Sequence, residues 1–270
     1  MDINRIMKEA DALFDSGNRE EAAQYLEEQL KLAKDTGRWG IELPILSELM
    51  GYYRTKSMFE KAVVHAERAL MLVRREELDG TPAATTYMNV ASLYRAMKNP
   101  VKAMELYLQA EKIYLDQQVK GNMLSALYNN MCVAALDLKE PELAEIYGEK
   151  AIEALQDNDN YRQASAIIYT NLAGYYLQEE NERLDEAEEY LNKAIEIYET
   201  YFPDDAHFAA ALAMRAYILK RKGDPEGALL FYRQALERTE KVYGKNNDYY
   251  MLLNNCKTLC QELGRDCHDR

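Results

Sequence analysis

Alanine recurs through this 270-residue chain at a period of about forty-one. Ala22, Ala62, Ala103, Ala144, Ala187 and Ala228 are separated by 40, 41, 41, 43 and 41 residues. Seven residues after each except the first stands a second alanine, at Ala69, Ala110, Ala151, Ala194 and Ala235; the first unit has Gln29 there. Seven residues is close to two helical turns, so each pair marks one helix face that a second backbone can approach closely. A fixed period of this length means a stacked array in which no unit buries its apolar face alone.

Within each period the apolar pattern describes two amphipathic helices. In the third unit Tyr87, Val90, Ala91 and Tyr94 form one stripe, the turn Lys98-Asn99-Pro100 follows, and Ala103, Leu106, Tyr107, Ala110 and Tyr114 form the next. Pro100, Pro141 and Pro225 share one phase, which suits a first helical turn where a missing N–H costs nothing. Asn99 and Asp224 precede two of them as N-caps. Breaks between units are expected near Thr36-Gly37, Asp79-Gly80-Thr81-Pro82, Lys120-Gly121, Asp157-Asn158, Phe202-Pro203-Asp204 and Gly244-Lys245. The single 43-residue gap reflects two additional residues between Glu179 and Leu184. The pattern predicts a single array over 1–270, with repeats at about 3–38, 43–78, 84–119, 125–158, 166–202 and 209–244. A capping helix over 249–263 covers the last one.

Charge and composition narrow what such an array can do. Thirty-three basic against forty-six acidic residues leave a net charge of −13, which repels phosphate backbones and anionic membranes. The start of the chain, MDINRIMKEADALF, reads as an amphipathic helix and not as a signal peptide. No stretch reaches the roughly 18 apolar residues of a membrane span. Four cysteines in 270 residues make no disulfide framework, and a cytoplasmic, reducing setting is expected.

The order of a small residue, an aromatic three further on, a turn, then alanine, aromatic and alanine resembles the tetratricopeptide repeat. It is carried by Ala91, Tyr94, Ala103, Tyr107 and Ala110, and again by Ala173, Tyr176, Ala187 and Ala194. The standard unit has 34 residues. The longer period here is similar to the extended repeats of kinesin light chain and of bacterial peptide-sensing regulators. Met50 and Cys132 depart from the pattern at small-residue positions. The resemblance implies an all-α, right-handed superhelical solenoid of six helix pairs plus the capping helix, with the first helix of each pair lining a concave groove.

One constellation stands out on those first helices. Asn89, Asn130, Asn171 and Asn255 occupy a single phase, Met214 filling the skipped step, and each lies two residues before the interface position of its helix. With 16 asparagines in the chain, chance supplies fewer than one at a given phase of seven helices. Asparagine is also disfavoured in a helix interior by roughly 0.5 kcal/mol against alanine. A primary amide donates and accepts, so a row of them can hold the backbone of an extended peptide in the groove the resemblance implies. The competing reading is that each amide bonds a neighbouring helix and only secures stacking.

Around this row lie Asn129, Tyr217 and other small or mixed residues, a lining suited to peptide more than to a hard ion. Arg54, Arg95 and Lys220 share a further phase, as a receptor for carboxylates or as ordinary solvated charge. Tyr87, Tyr128 and Tyr169, again 41 apart, read as core. Catalytic signatures are missing: there is no Gly-rich phosphate loop, no G-x-S-x-G and no credible Cys–His or Ser–His pair. Cys256, Cys260, Cys267 and His268 cluster near the end, but the first two fall on apolar phases, so neither a metal nor a cofactor is expected. The sequence therefore describes a non-enzymatic module that holds an extended protein or peptide segment through an asparagine ladder. The alternative is a scaffold or homo-oligomeric assembly subunit associating through its repeat surfaces.

Overall fold

The computed structural model describes residues 2–155, 161–178 and 182–265, and every regular element in them is an α-helix. The chain forms two compact units, residues 1–140 and 141–270. The first holds α1 (Ile3–Asp15), α2 (Arg19–Asp35), α3 (Trp39–Thr55), α4 (Phe59–Arg75), α5 (Thr81–Ala96), α6 (Pro100–Asp116) and α7 (Asn122–Asp137). Within this unit each helix packs on its sequence neighbours, and the first helices also touch along the array, α3 on α5 and α5 on α7. The second unit holds α8 (Pro141–Glu153), α9 (Tyr161–Tyr176), α10 (Leu184–Tyr201), α11 (Phe208–Arg221), α12 (Pro225–Tyr243) and α13 (Asn247–Glu262). It repeats the scheme, with α9 also against α11 and α13 laid on α12.

The alanines that set the period are where that packing is tightest. All eleven, from Ala22 to Ala235, are fully buried. The two intruders at small-residue positions, Met50 and Cys132, are buried as well. Of the periodic tyrosines only Tyr128 is buried; Tyr87 and Tyr169 are half-buried, their phenols lying at the edge of the core.

Helix ends follow local chemistry. Asn99 and Asp224 accept from the backbone N–H of Lys102 and Gly227 at 3.1 and 2.8 Å, capping α6 and α12. Asp2 and Asn246 cap α1 and α13 in the same way. Pro44 is the proline that lies inside a helix, α3, where its missing N–H leaves the Gly40 carbonyl without a helical donor. Six of the first helices stop at a left-handed residue that recurs with the repeat: Gly17, Ser57, Lys98, Lys139, Gly223 and Gly264, with φ between 66° and 85° at the three glycines and 56°, 60° and 64° at the other three. Past each, an N–H reaches back to close the last turn, as from Asn99 to the Tyr94 carbonyl at 2.9 Å and from Asp224 to Leu219 at 2.9 Å.

Polar groups between helices are satisfied in a recurring way. Fully buried Glu42 of α3 takes two bonds from Arg68 of α4, at 2.5 and 3.0 Å. Tyr53 and His65 stack at 5.5 Å and 8°, and both bond one oxygen of Glu27 at 3.0 Å. In the second unit Tyr176 and Tyr190 stack at 5.9 Å and 4° and both bond one oxygen of Glu145, at 2.8 and 2.9 Å. Tyr53 and Tyr176 stand at one phase of the repeat, as do His65 and Tyr190 once the two added residues are counted. In each case a carboxylate from the preceding helix pair ties the stacked rings to it.

Candidate functional site on the first helices

The faces of α5, α7, α9 and α13 that do not pack inward carry the asparagine row. Asn89, Asn130, Asn171 and Asn255 are all half-buried, and each sits one residue before a buried apolar side chain, Val90, Met131, Leu172 or Cys256. Two residues beyond the first three lie the fully buried Ala91, Cys132 and Ala173. Beyond Asn255 lies exposed Lys257. Each member therefore keeps one orientation on its own helix, with Asn255 in a different setting.

Hydrogen bonding divides the row. Among the described residues the side chains of Asn89, Asn130 and Asn255 form no hydrogen bond, whereas Asn129 and Asn171 each hold a contact within the chain. Asn89 and Asn130 stand on α5 and α7, which touch in the first unit. In the second unit Met214 of α11 takes the next step after Asn171 and lies against Gly174 of α9, where a built Cβ would come within 3.2 Å of its methyl carbon. In the first unit the unbonded amides stand on touching helices, α5 and α7; in the second a thioether takes this phase on α11.

The basic phase divides too. Arg95 donates to Asp137 at 3.3 Å, while its Nε is buried with no partner. Lys220 pairs with Glu262 at 3.1 Å. Arg54 is half-buried and makes no hydrogen bond, ion pair or ring contact among the described residues. Tyr217 is engaged: its hydroxyl donates to Glu182 at 2.8 Å and accepts from Arg221 at 2.9 Å. Between α5 and α6, Ser92 bonds the buried Tyr107 hydroxyl at 2.9 Å. Burial raises the Tyr107 pKa, and the Ser92 bond and the charges of Arg95 and Arg54 oppose that rise. The two acidic partners, Asp137 and Glu262, were visible in the sequence as carboxylates 42 residues beyond a cation, a spacing that only a repeat makes meaningful.

Among the described residues no cluster of histidine, cysteine and carboxylates could hold a metal ion, and Cys267 and His268 lie outside them. No helix among them is long and apolar enough to cross a membrane.

Comparison with known proteins agrees with this architecture. Family models described as tetratricopeptide repeat match residues 6–36, 84–117, 123–200 and 208–248. A search of the curated proteins finds no match. The fold is similar to the crystal structure of BtubC (BKLC) from P. vanneervenii, at 23% identity and a TM-score of 0.63, over 91% of this chain and 94% of that one. It is also similar to the apo form of RapI, at 14% identity and a TM-score of 0.70, over 97% of this chain and 72% of the other. A third is PilW, a type IV pilus biogenesis factor, at 17% identity and a TM-score of 0.63, over 93% and 98%. At these identities the likeness speaks for the fold alone. Repeat period, helix pairing and the matched models converge, and the chain belongs to the tetratricopeptide-repeat family.

Proposed function

We propose that this protein, built on a fold that serves protein–protein interaction and scaffolding, binds an extended segment of a partner protein along its first helices. The observation that carries the reading is the pair Asn89 and Asn130, two half-buried amides on touching helices, at one phase, with no hydrogen bond inside the chain. An amide retained in a helix interior for stacking would be bonded to a neighbouring helix; these two leave donor and acceptor for a peptide backbone. The three described cysteines are free and buried, which supports a reducing, cytoplasmic setting.

The test is a peptide selected on the wild-type protein from a random twelve-residue library, titrated against wild type and Asn89→Ala/Asn130→Ala. Loss of up to four hydrogen bonds, at roughly 0.5–1.5 kcal/mol each, lowers affinity about tenfold to a thousandfold. The melting temperature is kept, because alanine is the better helix former. Unchanged affinity with a lowered melting temperature would give the amides a stacking role instead.

A second reading is favoured by α6. Val101, Leu108 and Leu115 lie seven apart on its solvent side, 60%, 45% and 53% exposed, a stripe that suits self-association. Sedimentation of wild type and Leu108→Glu separates the readings: a dimer abolished by the substitution supports an assembly subunit.

A further inference from the structure

The outward face of α6 departs from that of every other second helix. Val101, Leu108 and Leu115 stand seven residues apart, so they drift by only about 20° per step and form one exposed stripe. At the corresponding repeat positions elsewhere in the chain every residue is charged or an amide, as in Glu60, Glu67 and Arg74 of α4. Stacking within the array does not need the stripe, because α6 already buries Ala103, Tyr107 and Ala110 on its inward side. An apolar row left in water at one repeat alone marks a contact with something outside the chain.

The charges beside the stripe select the occupant. Glu105 and Lys112 follow Val101 and Leu108 by four residues, which places them in the adjoining row of the helix surface. Lys102, Gln109 and Asp116 follow the stripe by one residue and form the row beyond. All five are exposed. Lys102 pairs with Glu105 at 2.7 Å, whereas Lys112 and Asp116 make no ion pair or hydrogen bond among the described residues. Along the helix the signs run plus, minus, plus, minus, and in reverse they run minus, plus, minus, plus. A second α6 laid antiparallel therefore sets Glu105 against Lys112 and Lys102 against Asp116, each pair occurring twice. The same reversal sets Leu108 on its own copy and Val101 on Leu115. A parallel copy would oppose like charges at all four positions.

We propose that the outward face of α6 is an isologous interface with a second copy of this chain, the two helices antiparallel about a two-fold axis beside Leu108 and Gln109. The inference rests on the self-association reading and sharpens it, by fixing the surface that pairs and the direction in which it pairs. The contact uses no side chain of a first helix, so self-association and segment binding are compatible. α6 has 17 residues and is about 25 Å long. One such face per partner lies at the low end of specific interfaces, which gives a dissociation constant that is roughly micromolar.

The experiment uses the full chain, followed by sedimentation at concentrations up to about 200 μM, above the dissociation constant that so small an interface gives. Wild type forms a dimer. Glu105→Lys and Lys112→Glu, each alone, put like charges at both symmetric contacts and weaken the dimer about tenfold. An equimolar mixture of the two variants, or both substitutions in one chain, restores association. Cysteine cross-linking reads the direction, with wild type as background because its described cysteines are buried. Leu108→Cys links to its own copy. Val101→Cys and Leu115→Cys link to each other when mixed, and neither links when alone. These side chains are exposed, so the variants keep the wild-type melting temperature. Self-linking of Val101→Cys and of Leu115→Cys, or a dimer indifferent to the charge reversals, overturns the antiparallel interface and leaves self-association standing. A chain that stays monomeric at every concentration overturns both.

Discussion

His65 shows how one side chain changes the behaviour of a recurring device. Its ring stands where Tyr190 stands in the other unit, stacked on a tyrosine and bonded to a carboxylate, but it can take up a proton. Burial lowers its pKa below the ordinary value of 6.5, ahead of the opposing charge and hydrogen bond of Glu27; Lys34 and Lys61 lower it further. Its Nδ1 is buried with no partner, so a proton there would have nothing to bond. The unfolded chain thus binds the proton more strongly than the folded one, and stability present above pH 6.5 is lost as pH falls below it. Urea unfolding of the first unit, followed by hydrogen exchange at pH 7.5 and 5.5, should show α2 to α4 weakening at the lower pH. The drop should shrink in His65→Tyr, since Tyr190 demonstrates that a phenol suits the position; an equal drop in both would acquit the histidine. None of this was legible in the sequence. Lone histidines on an apolar face carry no signal of their own, and the carboxylate that holds His65 comes from another repeat, 38 residues away.

Helices are the scale at which the sequence spoke most clearly. Their number, order and caps follow from alanine phase, the prolines and the Asn or Asp before them, because those signals act within one or two turns. The left-handed stop after six of the first helices was not legible, since three of its occupants are Ser57, Lys98 and Lys139 and give no glycine signal. An L-residue in that conformation costs about 1–2 kcal/mol, partly offset by the greater freedom that glycine has in the unfolded chain. Lys98→Gly should therefore stabilise the protein by about 0.5–1 kcal/mol, and Gly223→Ala should destabilise it by a similar amount. Chemical denaturation of the pair checks the sign, and no change in either would mean that the turns do not hold the helix ends. The amide row belongs to this scale as well. Its phase was readable from spacing, but which amides are bonded inside the chain depends on rotamers, which no period reveals.

At the scale of the whole molecule, stability is a sum of neighbour contacts, so damage stays local. α13 buries Leu252, Cys256, Leu259 and Cys260 and packs on α12. Truncation after Gly244 should leave amides of α11 and α12 exchanging far faster while α9 and α10 keep most of their protection. Uniform loss through the second unit would contradict a capping role. The same neighbour-only wiring bears on how the chain is made. Within each unit every described helix packs on the one before it, the one after it, or the next but one. A ribosome adding about 5–20 residues per second delivers one period in about two to eight seconds. Within each unit an emerging helix therefore finds its docking surface already built, and the inward apolar faces wait only for the next repeat to arrive. Folding in the order of synthesis follows from a contact map that never reaches far ahead, and exposure to aggregation during translation is limited to the newest helix pair.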